Sequence, residues 1–178
     1  PPEKPLARLL QRRAYEGTMK RRLLRLGLIS GLVLGAGLGI AAFRLPDIGA
    51  AMILHPIRKP VPAKVPVGCA QVSLMGEGVK LEAWEGRAPG KARGTVIYLH
   101  GVCDNRGSGA GILKRYLDRG FDVIAYDSRA HGRSEGEACT YGWFEKKDLL
   151  NVVKNVEHPP VILIGSSLGA AVALQAAA

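Results

Sequence analysis

The chain has 178 residues, of which 47% are hydrophobic and 6% aromatic, and its formal net charge at pH 7 is +10. This length suffices for one modest domain together with whatever the first residues contribute. A basic balance is typical of proteins that bind nucleic acid, but the low aromatic content and the lack of a stacking motif argue against such binding. The three cysteines have no C-x-x-C spacing, so nothing indicates a zinc or thioredoxin-like site.

Residues 1–25 form a basic arm, in which eight Lys or Arg side chains stand against two Glu. Residues 26–43 follow with 18 positions and no charge. As a helix of about 1.5 Å per residue this segment is about 27 Å long, just enough to cross a bilayer core. The basic excess before it predicts a transmembrane helix with a cytoplasmic N-terminus and an extracytoplasmic remainder.

A cleaved signal peptide is the alternative interpretation of the same segment. Small residues at Ala41-Ala42 or at 49–51 are suitable for cleavage, and the protein would then be secreted. Both interpretations predict export.

Glycines recur at every fourth position of the apolar segment and share one helix face: Gly27, Gly31, Gly35 and Gly39. Small residues at this spacing let two membrane helices approach closely, which predicts a homodimer. A glycine-rich export segment without pairing remains the plain alternative.

Residues 44–68 contain five prolines and are predicted to be an extended stalk. The remaining part, 69–178, is predicted to be one domain. Alternating patterns predict a hairpin of strands 70–75 and 79–84, apolar runs predict buried strands at 95–99, 122–126 and 161–164, and helical spacing predicts helices at 105–119, 141–156 and 170–178. Asp104 or Asn105 is the expected N-cap of the first of these helices, and Gly120 its end. Buried strands joined by crossover helices indicate an α/β fold with a mostly parallel sheet.

The last strand leads directly into Gly165-Ser166-Ser167-Leu168-Gly169, and a run of helix formers follows it. A G-x-S-x-G sequence between a strand and a helix is typical of a nucleophile elbow. Such a turn is strained and closely packed, which is why it needs glycines. It lifts the Ser167 hydroxyl above the sheet at a helix N-terminus, where developing negative charge is favoured.

Three stretches together carry a family resemblance: Leu99-His100-Gly101, the run 126–134 (YDSRAHGRS) and the run 165–169. With these motifs in this order, residues 70–178 resemble the α/β-hydrolase superfamily. They are most similar to bacterial membrane-anchored or exported serine hydrolases related to the prolyl-oligopeptidase-like and acyl-hydrolase branches.

The resemblance implies that Ser167 is the nucleophile and forms an acyl-enzyme from an ester, thioester or amide. It implies that the N–H groups of Val102 and Leu168 bind the oxyanion. The histidine and glycines that shape these two loops are His100, Gly101, Gly165 and Gly169. The implied substrate is a small-molecule acyl ester or a peptide, and no metal or cofactor is expected. His131 and Asp127 are expected to be structural.

In this superfamily the triad acid and histidine follow the nucleophile helix, whereas the sequence ends eleven residues after Ser167. We therefore expect the 178 residues to be the N-terminal half of the fold, and to be nearly inactive alone. Two alternatives stay open: a serine peptidase of the same fold, and a catalytically inactive membrane-tethered module.

Cys103 and Cys139 lie in loops after neighbouring parallel strands. In an exported protein they can form a disulfide that fixes the oxyanion loop. Two free thiols are the other interpretation.

Overall fold

The computed structural model describes residues 4–178 and the side chains of residues 12, 13 and 15–178. The predicted basic arm, 1–25, lies partly outside the described residues. The chain divides into two compact units, Pro1–Ala50 and Ala51–Ala178.

The first unit consists of helix α1, which covers Lys4–Leu54 and continues into the start of the second unit. Within it, Tyr15–Leu54 is long and apolar enough to cross a membrane, although a signal sequence near the N-terminus has the same character. The helix includes Pro46. The prediction of an extended stalk is therefore wrong for 44–54. One proline removes one hydrogen bond but has a helical φ, and the apolar residues after it continue the helix.

The second unit contains a five-stranded sheet and three further helices among the described residues. The strands are β1 (Cys69–Met75), β2 (Lys80–Gly86), β3 (Thr95–Leu99), β4 (Asp122–Tyr126) and β5 (Val161–Gly165), and the helices are α2 (Ala110–Leu117), α3 (Glu145–Lys154) and α4 (Leu168–Ala177). The strand order is β1-β2-β4-β3-β5. The predicted hairpin and the three predicted strands are all present. β3 and β4 are buried as predicted, whereas β5 is an edge strand and its residues are only half-buried, which corrects the prediction of a buried strand at 161–164.

The sheet is mixed, which corrects the expectation of a mostly parallel one. β3 pairs in parallel with β4 and β5, whereas β2 pairs antiparallel with both β1 and β4. The hairpin pairs with β4 at the edge that β3 leaves free. Ala83 is opposite Tyr126 and Gly86 is opposite Val123, so β2 runs antiparallel to β4.

Two hydrophobic cores cover the two faces of the sheet. One combines alternate residues of the central strands, such as Ile97 and Tyr126, with Leu149 of α3 and Val172 of α4. The other combines the remaining alternate residues of the same strands, such as Val96 and Ala125, with Leu113 of α2. This three-layer arrangement follows from the period of two along each strand, which sends neighbouring side chains to opposite faces.

Two of the helices begin later than the sequence predicts, because side-chain caps hold the preceding turns. Asn105 accepts a hydrogen bond from the Gly107 N–H at 2.9 Å, and a 3₁₀ turn over Arg106–Gly109 precedes α2. Before α3, the buried Glu145 carboxylate accepts hydrogen bonds from the backbone N–H groups of Thr140 and Gly142 at 2.6 and 2.7 Å. Asn105, one of the two predicted N-caps, thus caps the 3₁₀ turn, whereas α2 itself begins after Gly109 without a side-chain cap.

Residues 55–66 form neither helix nor strand and are called the joining segment below. The segment is packed on the domain: Val61 and Val65 contact the α2-side core, and the Asn105 amide donates to the carbonyls of Lys59 and Pro60 at 3.1 Å each. This part of the predicted stalk is therefore fixed along the domain surface.

Candidate active site

The three sequence motifs meet at one edge of the sheet. Leu99, the last residue of β3, is paired in register with Tyr126 of β4 and with Gly165 of β5. The three strands are parallel, so the loops after them leave from the same edge. In open α/β sheets, this carboxyl edge is where ligands bind.

Ser167 has the strained backbone that the elbow predicts, with φ of 50° and ψ of −114°. Non-glycine residues rarely adopt a positive φ, and such strain clusters at functional sites. The residue is exposed and immediately precedes α4. Its side chain is therefore accessible to solvent at the N-terminal end of a ten-residue helix, where developing negative charge is favoured.

Both glycines of the elbow are required by close approaches of backbone. A Cβ on Gly165 would lie 2.4 Å from the Ala170 nitrogen, and one on Gly169 would lie 2.3 Å from the Leu99 carbonyl oxygen. These distances are far below van der Waals contact, so any side chain would push α4 away from β5 or β3.

The loop after β3 lies beside Ser167. The Ser166 N–H donates to the Leu99 carbonyl at 3.0 Å, and a Cβ on Gly101 would lie 3.4 Å from the Ser167 Cβ. Within residues 4–178, neither the Val102 nor the Leu168 N–H donates a hydrogen bond. Both predicted oxyanion donors are therefore available near Ser167.

His100 is fully buried and uses both ring nitrogens within the protein. The Ser128 N–H donates to Nε2 at 2.9 Å, so the proton is on Nδ1, which donates to the Gly101 carbonyl at 2.7 Å. Burial lowers the pKa of His100. A neutral imidazole with both nitrogens hydrogen-bonded holds the β3 and β4 loops together and has no nitrogen left for proton transfer.

His131 packs against His100, with the two rings edge to face and their centroids 5.1 Å apart. It is fully buried, and its Nδ1 lies 2.9 Å from the Arg129 carbonyl oxygen. Its Nε2 has no hydrogen-bond partner among the described residues. The position fits the structural role that the sequence predicts.

Asp127 is fully buried and forms an ion pair with Arg106, which is 1% exposed. The carboxylate also accepts hydrogen bonds from the N–H groups of Arg106 at 2.7 Å and Arg133 at 2.8 Å. The guanidinium lies 5.4 Å from the centre of the Trp84 ring. These contacts of the Asp127 carboxylate stabilise the loop after β4. Sequence reasoning missed Arg106, because an arginine at the start of a helix is usually exposed.

The three cysteines are free thiols, so no Cys103–Cys139 disulfide is formed in the structure. Cys103 is exposed and has a φ of 55°. Cys139 is buried, and this burial raises the pKa of its thiol to about 11. A protonated buried thiol is a poor nucleophile. Among the described residues, no group of three or more His, Cys, Asp or Glu side chains could hold a metal ion.

Comparison with known proteins agrees with this geometry. Residues 94–178 match the family model of the alpha/beta hydrolase fold. The uncharacterized protein YqkD of Bacillus subtilis is 41% identical over 92 residues, which is 49% of this chain and 30% of the relative. The mitochondrial palmitoyl-protein thioesterase ABHD10 of Bos taurus is 34% identical over 87 residues, which is 47% of this chain and 28% of the relative.

Among solved structures, the esterase Pf2001 of Pyrococcus furiosus superposes with a TM-score of 0.61 at 32% identity, over 68% of this chain and 51% of the esterase. The chain thus spans about half of that esterase and under a third of the two curated relatives. The sheet order, the elbow and these matches together show that the matched part of the chain, residues 94–178, is similar to the alpha/beta hydrolase fold.

Proposed function

We propose that the protein is a serine hydrolase that cleaves an acyl bond through an acyl-enzyme on Ser167. One observation carries the proposal: a strained, exposed serine stands beside two backbone N–H groups that have no internal acceptor among the described residues. The Ser167 oxygen attacks the acyl carbon and gives its proton to a base, while the carbonyl electrons move onto an oxygen held by these N–H groups. The leaving group then takes up the proton, and water releases the acid.

Neither the base nor its carboxylate partner is assigned among the described residues. This part of the proposal is supported by the order of the triad in the superfamily, in which both come after the nucleophile. It is also supported by His100 and Asp127, which are occupied by internal hydrogen bonds. Without these partners the serine is weakly nucleophilic, and the described residues alone are expected to be nearly inactive.

An ester or thioester is the proposed substrate class, because the named relatives include an esterase and a thioesterase. A peptide is the alternative substrate, and a catalytically inactive membrane-tethered module is the alternative function. The proposed location is the outer side of a membrane, with α1 as anchor, or a secreted form if α1 is a cleaved signal. The apolar character of Tyr15–Leu54 supports both.

The test is an intact mass of the natural protein from the membrane fraction, before and after treatment with a fluorophosphonate. We expect a mass well above 19.0 kDa and one adduct on Ser167, because phosphonates react with activated serines. A mass near 19.0 kDa without an adduct would favour the inactive module.

Pairing of α1 through its glycine face is a second proposal. A Cβ placed on Gly27, Gly31, Gly35 or Gly39 would meet no atom within 4 Å outside the adjacent backbone of α1, so this face is open. We expect crosslinking of membranes to yield a dimer that is lost in a Gly31→Leu/Gly35→Leu variant, because leucines separate the helix backbones. An unchanged dimer in that variant would contradict the pairing.

A further inference from the structure

The joining segment connects the end of α1 with two loops of the candidate active site. Lys59 and Pro60 contact the loop after β3, and Arg58 contacts the loop after β4. The prolines of this segment predict a stalk. Its contacts instead lie at the edge of the sheet that carries Ser167.

The contact with the β3 loop is centred on Asn105, which is 2% exposed and three residues after Val102. Its Nδ2 donates to the carbonyls of Lys59 and Pro60, and its Oδ1 accepts from the Gly107 N–H. The Lys59 Nζ lies 3.0 Å from the Asp104 Oδ1. Two consecutive loop residues are thus bonded to the joining segment.

The turn that carries Val102 needs such support. It is closed by one long hydrogen bond, from the Asp104 N–H to the Gly101 carbonyl at 3.3 Å. Cys103 in this turn has a positive φ of 55°. Strained residues of this kind keep their conformation only where the surrounding structure holds them. His100 holds one end of the turn, and Asn105 holds the other.

The joining segment is itself fixed to the loop after β4. The Arg58 guanidinium donates to the carbonyls of Ser134 and Gly136 at 2.5 and 2.8 Å. It also lies 3.4 Å from the carbonyl oxygens of His131 and Gly132. The planar guanidinium of Arg58 therefore contacts four carbonyl oxygens of one loop, and a lysine ammonium cannot reproduce this geometry.

We propose that Arg58, Lys59 and Asn105 are positioning residues, which hold the Val102 N–H in the orientation that binds the oxyanion. The inference rests on the proposed serine hydrolase function. Oxyanion donors act mainly on the transition state. Loosening the joining segment therefore lowers kcat and the rate of phosphonylation, and it leaves KM nearly unchanged.

The sharpest variant is Asn105→Asp in the natural full-length protein. It keeps an oxygen for the Gly107 N–H, but it replaces the donor to Lys59 and Pro60 by an oxygen that faces two carbonyls. We expect phosphonylation by a fluorophosphonate and kcat to fall about 10- to 100-fold, below the loss from removing an oxyanion donor outright. Lys64→Met is the matched control, because Lys64 is exposed on the same segment and makes no side-chain hydrogen bond or ion pair to a described residue.

Two quantities from the same labelling experiment separate positioning from folding: the rate constant of labelling and the final adduct per protein. A slower rate with full final labelling supports the inference. A wild-type rate constant overturns the inference. This holds with full final labelling, and also with fewer labelled molecules, which would indicate that part of the protein is unfolded. If Asn105→Asp does not accumulate, the double variant Arg58→Met/Lys59→Met gives the same test with exposed residues. Absence of any label on wild-type Ser167 would overturn the proposed function, and this inference with it.

Discussion

We expect the Ser167→Ala variant of the natural protein to lose about five orders of magnitude in kcat for ester hydrolysis, because removing a catalytic serine leaves only binding and oxyanion stabilisation. The fold should be unchanged, since the side chain is exposed and an alanine adds no atom to the elbow. Hydrolysis of a chromogenic ester, with circular dichroism on the same samples, measures both quantities.

Ser166→Ala is the matched control for this experiment. Ser166 is the neighbouring exposed serine of the same elbow, and its structural contacts are made by its backbone, which donates to Leu99 and accepts from Gly169. We expect this variant to stay within about threefold of the wild-type kcat, a difference of under about 1 kcal/mol. Equal activity of Ser167→Ala and the wild type would refute the nucleophile assignment.

The second large effect concerns stability. We expect Arg106→Met to lower the free energy of unfolding by about 3–5 kcal/mol, because it leaves the fully buried Asp127 carboxylate without its counter-ion. The backbone N–H groups of Arg106 and Arg133 still bind the carboxylate, but they do not neutralise it. Urea unfolding followed by circular dichroism measures the difference.

The double variant Arg106→Met/Asp127→Asn tests the cause of that loss. Removing the charge together with its partner should recover part of the stability, so that the two substitutions are not additive. Arg115→Met, an exposed arginine of α2, is the surface control and should change stability by under about 0.5 kcal/mol. A loss below about 1 kcal/mol in Arg106→Met would contradict the importance of the buried ion pair.

The predictable part of the site is local in sequence. The elbow could be predicted because a strand, two glycines and a helix are contiguous, and each glycine has a steric reason in the structure. The loop with His100 could be predicted from its position directly after a buried strand. Because β3, β4 and β5 are parallel, three separate motifs necessarily meet at one edge.

The unpredicted part depends on contacts between distant residues. The pairing of the hairpin with β4 is set by register across about forty residues, which makes the sheet mixed. Arg106 and Asp127 pair across 21 positions, and neither residue type signals a buried partner by itself. The prolines of 44–68 explain why 55–66 form neither helix nor strand, but they do not predict the carbonyls and amides that bind this segment.

The path of the joining segment has a consequence for cleavage of the proposed membrane anchor. Both stretches of small residues that are suitable for cleavage, Ala41-Ala42 and 49–51, precede the segment. A protease acting there would leave Arg58, Lys59 and Pro60 in the released chain, together with their contacts to Asn105 and the β4 loop. If α1 anchors the protein as proposed, the anchored and shed forms would share one intact set of candidate active-site loops, and shedding would change the location of the protein but not the structure of its site.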